Sequence, residues 1–100
     1  MSKRKHQVRE SFRAVVLRGI CLVCGERTTL DAHHITPREQ FKNGGYVKEN
    51  GIGLCSGCHV KAEEDLHGVK HKGYDSATLY ELIQSSLEQA IAADERKNNG

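Results

Sequence analysis

Apolar residues recur along this chain first at helical, then at strand, then again at helical spacing, and each change of period marks an element. In residues 7–18, Val8, Phe12, Val15 and Val16 fall on one face, which predicts a helix that Gly19 ends. Residues 29–35 and 51–55 read as short strands. Between them, residues 36–51 form a polar loop carrying Pro37, Gly44 and Gly45. Cys58 to Leu66 reads as a helix with Gly68 as its stop, and residues 68–75 as a basic connector. From Ser76 to about Arg96, Leu79, Leu82, Ile83, Leu87, Ala90 and Ile91 share one stripe. That stripe predicts a single long helix capped by Asp75 or Ser76.

This order predicts a small α+β fold, one domain over residues 1–100. Its parts are a basic arm and helix (1–19), a core (20–67), a connector (68–75) and a C-terminal helix (76–96). Both ends read as natural termini. Aromatic residues are only 5% of the chain and Trp is absent, so the apolar core is thin and a staple is expected.

Charge changes the picture mainly at the N-terminus. The formal net charge is +2. Residues 1–18 hold six basic side chains against the single acid Glu10, whereas residues 19–75 and 76–100 are slightly acidic. A basic arm on a near-neutral body suits a nucleic-acid backbone, and equally a solvated tail. No apolar run follows the first five residues, so no secretory signal is expected. No stretch approaches the roughly 20 apolar residues of a membrane span. The chain is therefore expected in the cytoplasm (of a host cell, if phage-encoded), where thiols stay reduced.

Reduced thiols turn attention to metal. Cys21-x-x-Cys24 and Cys55-x-x-Cys58 are two units whose spacing lets both sulfurs of one turn reach the same ion. Together they predict a closed, structural zinc site of the zinc-ribbon kind, with no position left for a substrate. Gly25 lets the first turn curl.

Between and after these units lie Leu30-Asp-Ala-His33-His34-Ile35, then Glu49-Asn50-Gly-Ile-Gly-Leu-Cys55, then Cys58-His59. Three such elements in this order, interlocked with a four-cysteine frame, closely resemble the HNH endonuclease family over residues 21–66. The resemblance implies a ββα-metal core flanked by the N-terminal helix and the longer C-terminal one. It implies that His33 binds a divalent metal, that His34 is the general base for water, and that His59 is the helix metal ligand. His33 stands where more members carry Asp, a departure also seen in the family. Asn50 matches the central Asn, either orienting His34 through the backbone or touching the metal.

The residues read the same way without the family. Phosphodiester hydrolysis needs a base for water, and His near neutral pKa supplies one. Adjacent strand residues face opposite sides, so unless the strand is bulged His33 and His34 cannot easily share one metal, and they can divide the work, one as ligand and one as base; which is which comes from the resemblance. Glu63 lies one helical turn from His59 and is an oxygen ligand, a partner of one, or a solvated residue.

The implied cofactors are structural Zn²⁺ and one catalytic divalent ion (Mg²⁺, Mn²⁺, Ni²⁺ or Zn²⁺). The implied partner is double-stranded DNA, with a second copy of the chain or a phage terminase-type protein as further candidates. Arg38, Lys42 and Lys48 are candidate phosphate contacts, with Lys3, Arg4 and Lys5 of the arm. Lys70, His71 and Lys72 form a second basic cluster. A zinc-ribbon module that binds DNA or protein without cutting, or an accessory subunit of a packaging machine, fits the cysteines equally well; His34 separates the readings, because a binder needs no base.

Overall fold

The computed structural model describes residues 12, 14–16 and 19–99. Of the expected first helix only Phe12 and the short turn Ala14–Val16 fall within them. The remainder of that helix, and the arm before it, lie outside the described residues.

The chain then makes a tight knuckle. Ile20 bridges Arg27, the Cys21 amide donates to Glu26 O, and the Gly25 amide donates to Cys21 O. Gly25 has φ +79, the left-handed region that suits glycine. Strand β1, Asp31–His34, follows, and it pairs antiparallel with β2, Gly51–Leu54. Both are shorter than the spans of apolar pattern that announced them, since Leu30, Ile35 and Cys55 pack in the core without joining the ladder. In register, His33 opposes Ile52 and His34 opposes Gly51.

Every residue of β2 is buried, unlike a strand with one wet face. The small side of β2 explains it. A Cβ at Gly51 would lie 2.8 Å from the Phe12 ring, and one at Gly53 would lie 2.8 Å from the Val15 carbonyl. The N-terminal segment thus lies against a floor of glycine, while Ile52 and Leu54 fill the other face.

Helix α1, Ser56–Leu66, begins two residues before the expected Cys58. The second Cys-x-x-Cys unit is itself the cap and first turn of this helix: Cys55 is the extended N-cap residue and Cys58 lies in that turn. The helix stops at His67 and Gly68, the latter with φ +97.

The single C-terminal helix expected over 76–96 is two helices. Helix α2 spans Ser76–Leu82, capped by Asp75, whose side chain accepts from the Thr78 amide. Helix α3 spans Leu87–Asn99. Between them Gln84 takes φ +57, which costs a side-chain-bearing residue about 1–2 kcal/mol. Hydrogen bonds offset that cost: Ser85 Oγ donates to Glu49 O at 2.8 Å, and Ser86 Oγ accepts the Gln89 amide at 3.1 Å as a cap for α3. The break also divides the apolar stripe. Leu79 and Ala90 are buried, whereas Leu82, Leu87 and Ile91 are exposed. No helix among the described residues is long and apolar enough to cross a membrane.

Candidate metal centres and active site

The knuckle, the end of β2 and the start of α1 bring four sulfurs together. Cys21, Cys24, Cys55 and Cys58 offer Sγ atoms that all lie within 4.8 Å of one another, and none is in a disulfide. Zinc–sulfur bonds of roughly 2.3 Å in a tetrahedron put sulfurs about 3.8 Å apart, and Cys24 Sγ lies 3.8 Å from Cys55 Sγ. The donor set fits a tetrahedral dication in chemistry and in spacing.

Protonation points the same way. Burial raises the Cys21 thiol, but the backbone amides of Cys24, Cys55 and Val23 outweigh it and hold the thiol at about 6. Burial, together with the other sulfurs, pushes Cys58 up to about 12. One thiolate therefore forms readily and opposes the next, a conflict that a bound dication removes. The α1 N-terminus adds its partial positive charge nearby. The Tyr74 hydroxyl lies 3.1 Å from Cys58 Sγ.

A second cluster sits one residue further along the helix. His33 on β1 and His59 and Glu63 on α1 place one donor atom each within 4.8 Å of one another. His33 Nδ1 is 3.1 Å from Glu63 Oε2, and His59 Nε2 is 3.7 Å from the same oxygen. The His33 and His59 rings meet edge to face at 5.1 Å. His33 is 1% exposed, and neither of its ring nitrogens makes a hydrogen bond. Nδ1 lies beside the Glu63 carboxylate without hydrogen-bond geometry and Nε2 faces no partner, and a buried imidazole left so is costly unless something else takes a lone pair. Burial, reinforced by His59 and His34, holds it down to about 4, so it is neutral and able to ligate. These residues fit a divalent ion. Sequence reasoning missed Asp31, whose Oδ2 lies 3.1 Å from His59 Nδ1. The signal was there: Asp31 precedes His33 by two on a strand, hence shares its face.

His34 faces the other way, as strand alternation requires. Its ring packs against Phe12 at 4.3 Å and Tyr46 at 4.7 Å. Burial lowers its pKa, and a hydrogen bond to the Gly44 backbone opposes that shift. Nε2 is left buried with no partner.

Asn50 is fully buried and spends its amide inside the loop. Nδ2 donates to Thr36 O at 3.1 Å and Gly45 O at 3.3 Å, and Oδ1 accepts from the Thr36 amide and the Tyr80 hydroxyl. With both N–H groups and Oδ1 engaged, it braces the loop beside His34. Sequence reasoning missed Tyr80 as well, 30 residues away from Asn50.

Arg38, Lys42 and Lys48 are exposed. Arg38 Nη1 donates to the Tyr46 hydroxyl at 3.2 Å, which sets it near His34. Lys3, Arg4 and Lys5 lie outside the described residues. The expected Lys70–Lys72 basic cluster is diluted, because the His71 ring lies 2.7 Å from the Glu64 carboxylate at the surface and its amide donates to Asp65.

Residues 21–65 match the family model described as HNH endonuclease. No curated protein and no solved structure gives a significant match.

Proposed function

From the HNH endonuclease domain that this chain carries in residues 21–65, we propose that it is a metal-dependent endonuclease hydrolysing DNA phosphodiester bonds. The observation that carries this is the split of the His33–His34 pair. One ring faces a ligand cluster with its nitrogens unmatched, and the next offers a free Nε2 on the other side of the strand.

His33 and His59, with Glu63, would hold one divalent ion. Such an ion, when bound, would supply Lewis-acid chemistry to the phosphoryl and departing 3′ oxygens. His34 Nε2 takes the proton of the attacking water as the new P–O bond forms and the bond to O3′ breaks. The products are a 5′-phosphate and a 3′-hydroxyl. Phosphate entry has to uncover Nε2, which is closed off without DNA. Arg38, Lys42 and Lys48 supply backbone contacts, so affinity should fall with salt and depend little on sequence. Cys21, Cys24, Cys55 and Cys58 would hold zinc, fixing Cys58 and with it the neighbouring His59.

Burial of His34 Nε2 is also what favours a second reading, a zinc-bound module that binds DNA without cutting it. A supercoiled-plasmid nicking assay with Mg²⁺, Mn²⁺ or Ni²⁺ separates the two. The nuclease reading expects nicking only with added metal, and a His34→Ala rate lower by about 10²–10⁴-fold with zinc and fold retained. Wild type inert in every metal, yet still binding DNA, makes the binding module the correct reading.

A further inference from the structure

The family match ends at residue 65, yet the last helix reaches back to the loop that touches His34. Asp94 on α3 is only 2% exposed. Its Oδ2 accepts the Asn43 amide at 3.0 Å, and its Oδ1 accepts the Gly45 amide at 2.8 Å. Asn43 Nδ2 returns a bond to the Asp94 carbonyl at 2.9 Å. These three bonds bracket Gly44, the residue whose backbone takes the hydrogen bond from the His34 ring.

The loop needs such a grip. Gly44 and Gly45 have φ +87 and +66, and two consecutive left-handed glycines are the least self-determined backbone available. Nor does either glycine tolerate replacement by a stiffer residue. A Cβ at Gly45 would meet the Phe41 ring at 2.5 Å, and one at Gly44 the Tyr46 ring at 2.9 Å. The shape of this loop therefore has to be imposed by its partners. Asn50 holds it from within the domain at 3.3 Å, and Asp94 holds it from outside with shorter, charge-assisted bonds.

We infer that Asp94 is a positioning residue for the cleavage reaction: by gripping the amides of Asn43 and Gly45 it fixes the Gly44 carbonyl, and through it the tautomer and aim of the His34 ring. With one nitrogen committed as donor to a fixed carbonyl, Nε2 is kept as the acceptor that a base requires. The C-terminal helix is then part of the reaction apparatus, and its partners lie 51 and 49 residues away in sequence. This inference rests on the nuclease reading given above.

The test is a double-mutant cycle on single-turnover plasmid nicking in Mn²⁺, below the melting temperature of every variant. Asp94→Asn replaces one accepting oxygen by a donor facing an amide N–H. It should lower the rate about 10- to 100-fold, with KM within about twofold, and have no further effect in a His34→Ala background. In ¹⁵N-labelled protein the His34 ring N–H should be protected from exchange in wild type and lost in Asp94→Asn. If Asp94→Asn does not fold, Asn43→Ala loosens the same grip by one bond and carries the same cycle. Equal rate losses in both backgrounds, or a changed melting temperature with unchanged rate and unchanged ring N–H, overturn the positioning role alone. Wild type inert in every metal overturns the nuclease reading, and this inference with it.

Discussion

The two ligand clusters share helix α1 and use adjacent residues of it, Cys58 and His59, yet they are built on opposite plans. The cysteine cluster draws its four donors from a knuckle and a helix cap, and the four would complete a tetrahedral shell around one ion. The histidine cluster gathers three donors, one deeply buried and two partly exposed, and around a bound ion it would leave coordination positions open for substrate oxygens. Four thiolates around a dication make a site whose binding energy goes into the fold. Three donors with an open side make a site whose energy can act on something that arrives. The comparison predicts that losing the first cluster removes the structure, and that losing the second removes the chemistry.

The largest expected effect breaks that comparison at its structural end. Zinc in peptides of this ligand type binds with apparent energies of roughly 10 kcal/mol or more, comparable to the whole stability of a small domain. Cys58→Ser, or a strong chelator applied to wild type, should therefore abolish the cooperative melt seen by circular dichroism and leave substoichiometric zinc by elemental analysis. A variant that keeps a sharp melt would mean that packing around Ile35, Ile52 and Leu54 suffices on its own.

The next effect tests the other end. His59→Ala removes a donor that is itself partly exposed, so the fold should survive, with zinc retained at one per chain and melting shifted by a few degrees at most. Altering a residue that merely supports a ligand typically weakens metal binding 10–100-fold. Removing the ligand should cost more, above about 100-fold in Mn²⁺ affinity by titration calorimetry. Loss of zinc in His59→Ala would show that the two clusters are one unit and not two.

How much of this was legible in the sequence follows from which interactions are local. The cysteine spacing, the alternation that sends His33 and His34 to opposite faces, and the single turn joining His59 to Glu63 are all short-range periodicities, and each appears in the structure where the residues place it. The break at Gln84 was not legible, because the apolar stripe runs through it in helical register while Ser85 and Ser86 stop and restart the helix through bonds to Glu49 and Gln89. Only the second of those bonds is local. Tyr80 and Asp94 carry no signal in the helical pattern for the same reason. Their partners, Asn50 and the loop at 43–45, lie in a segment whose shape no periodicity describes.

The smallest predicted effect sharpens the comparison by asking whether the histidine cluster is tuned or merely assembled. Asp31 Oδ2 sits 3.1 Å from His59 Nδ1, and its side chain is half-exposed. A carboxylate there would accept a hydrogen bond from Nδ1–H, which would leave the Nε2 lone pair towards Glu63 and His33 and make that nitrogen a stronger donor. Asp31→Asn keeps size and one acceptor oxygen but removes the charge, and an exposed ion pair contributes little to stability. Melting and zinc content should therefore stay at wild-type values while Mn²⁺ affinity falls about 10-fold, the low end for such supporting partners. Asp31→Ala, which also frees the ring to rotate, should fall further, towards 100-fold. If both variants bind Mn²⁺ as wild type does, the contact with Asp31 is a surface ion pair and His59 is oriented by the helix alone, through its amide bond to Cys55 O.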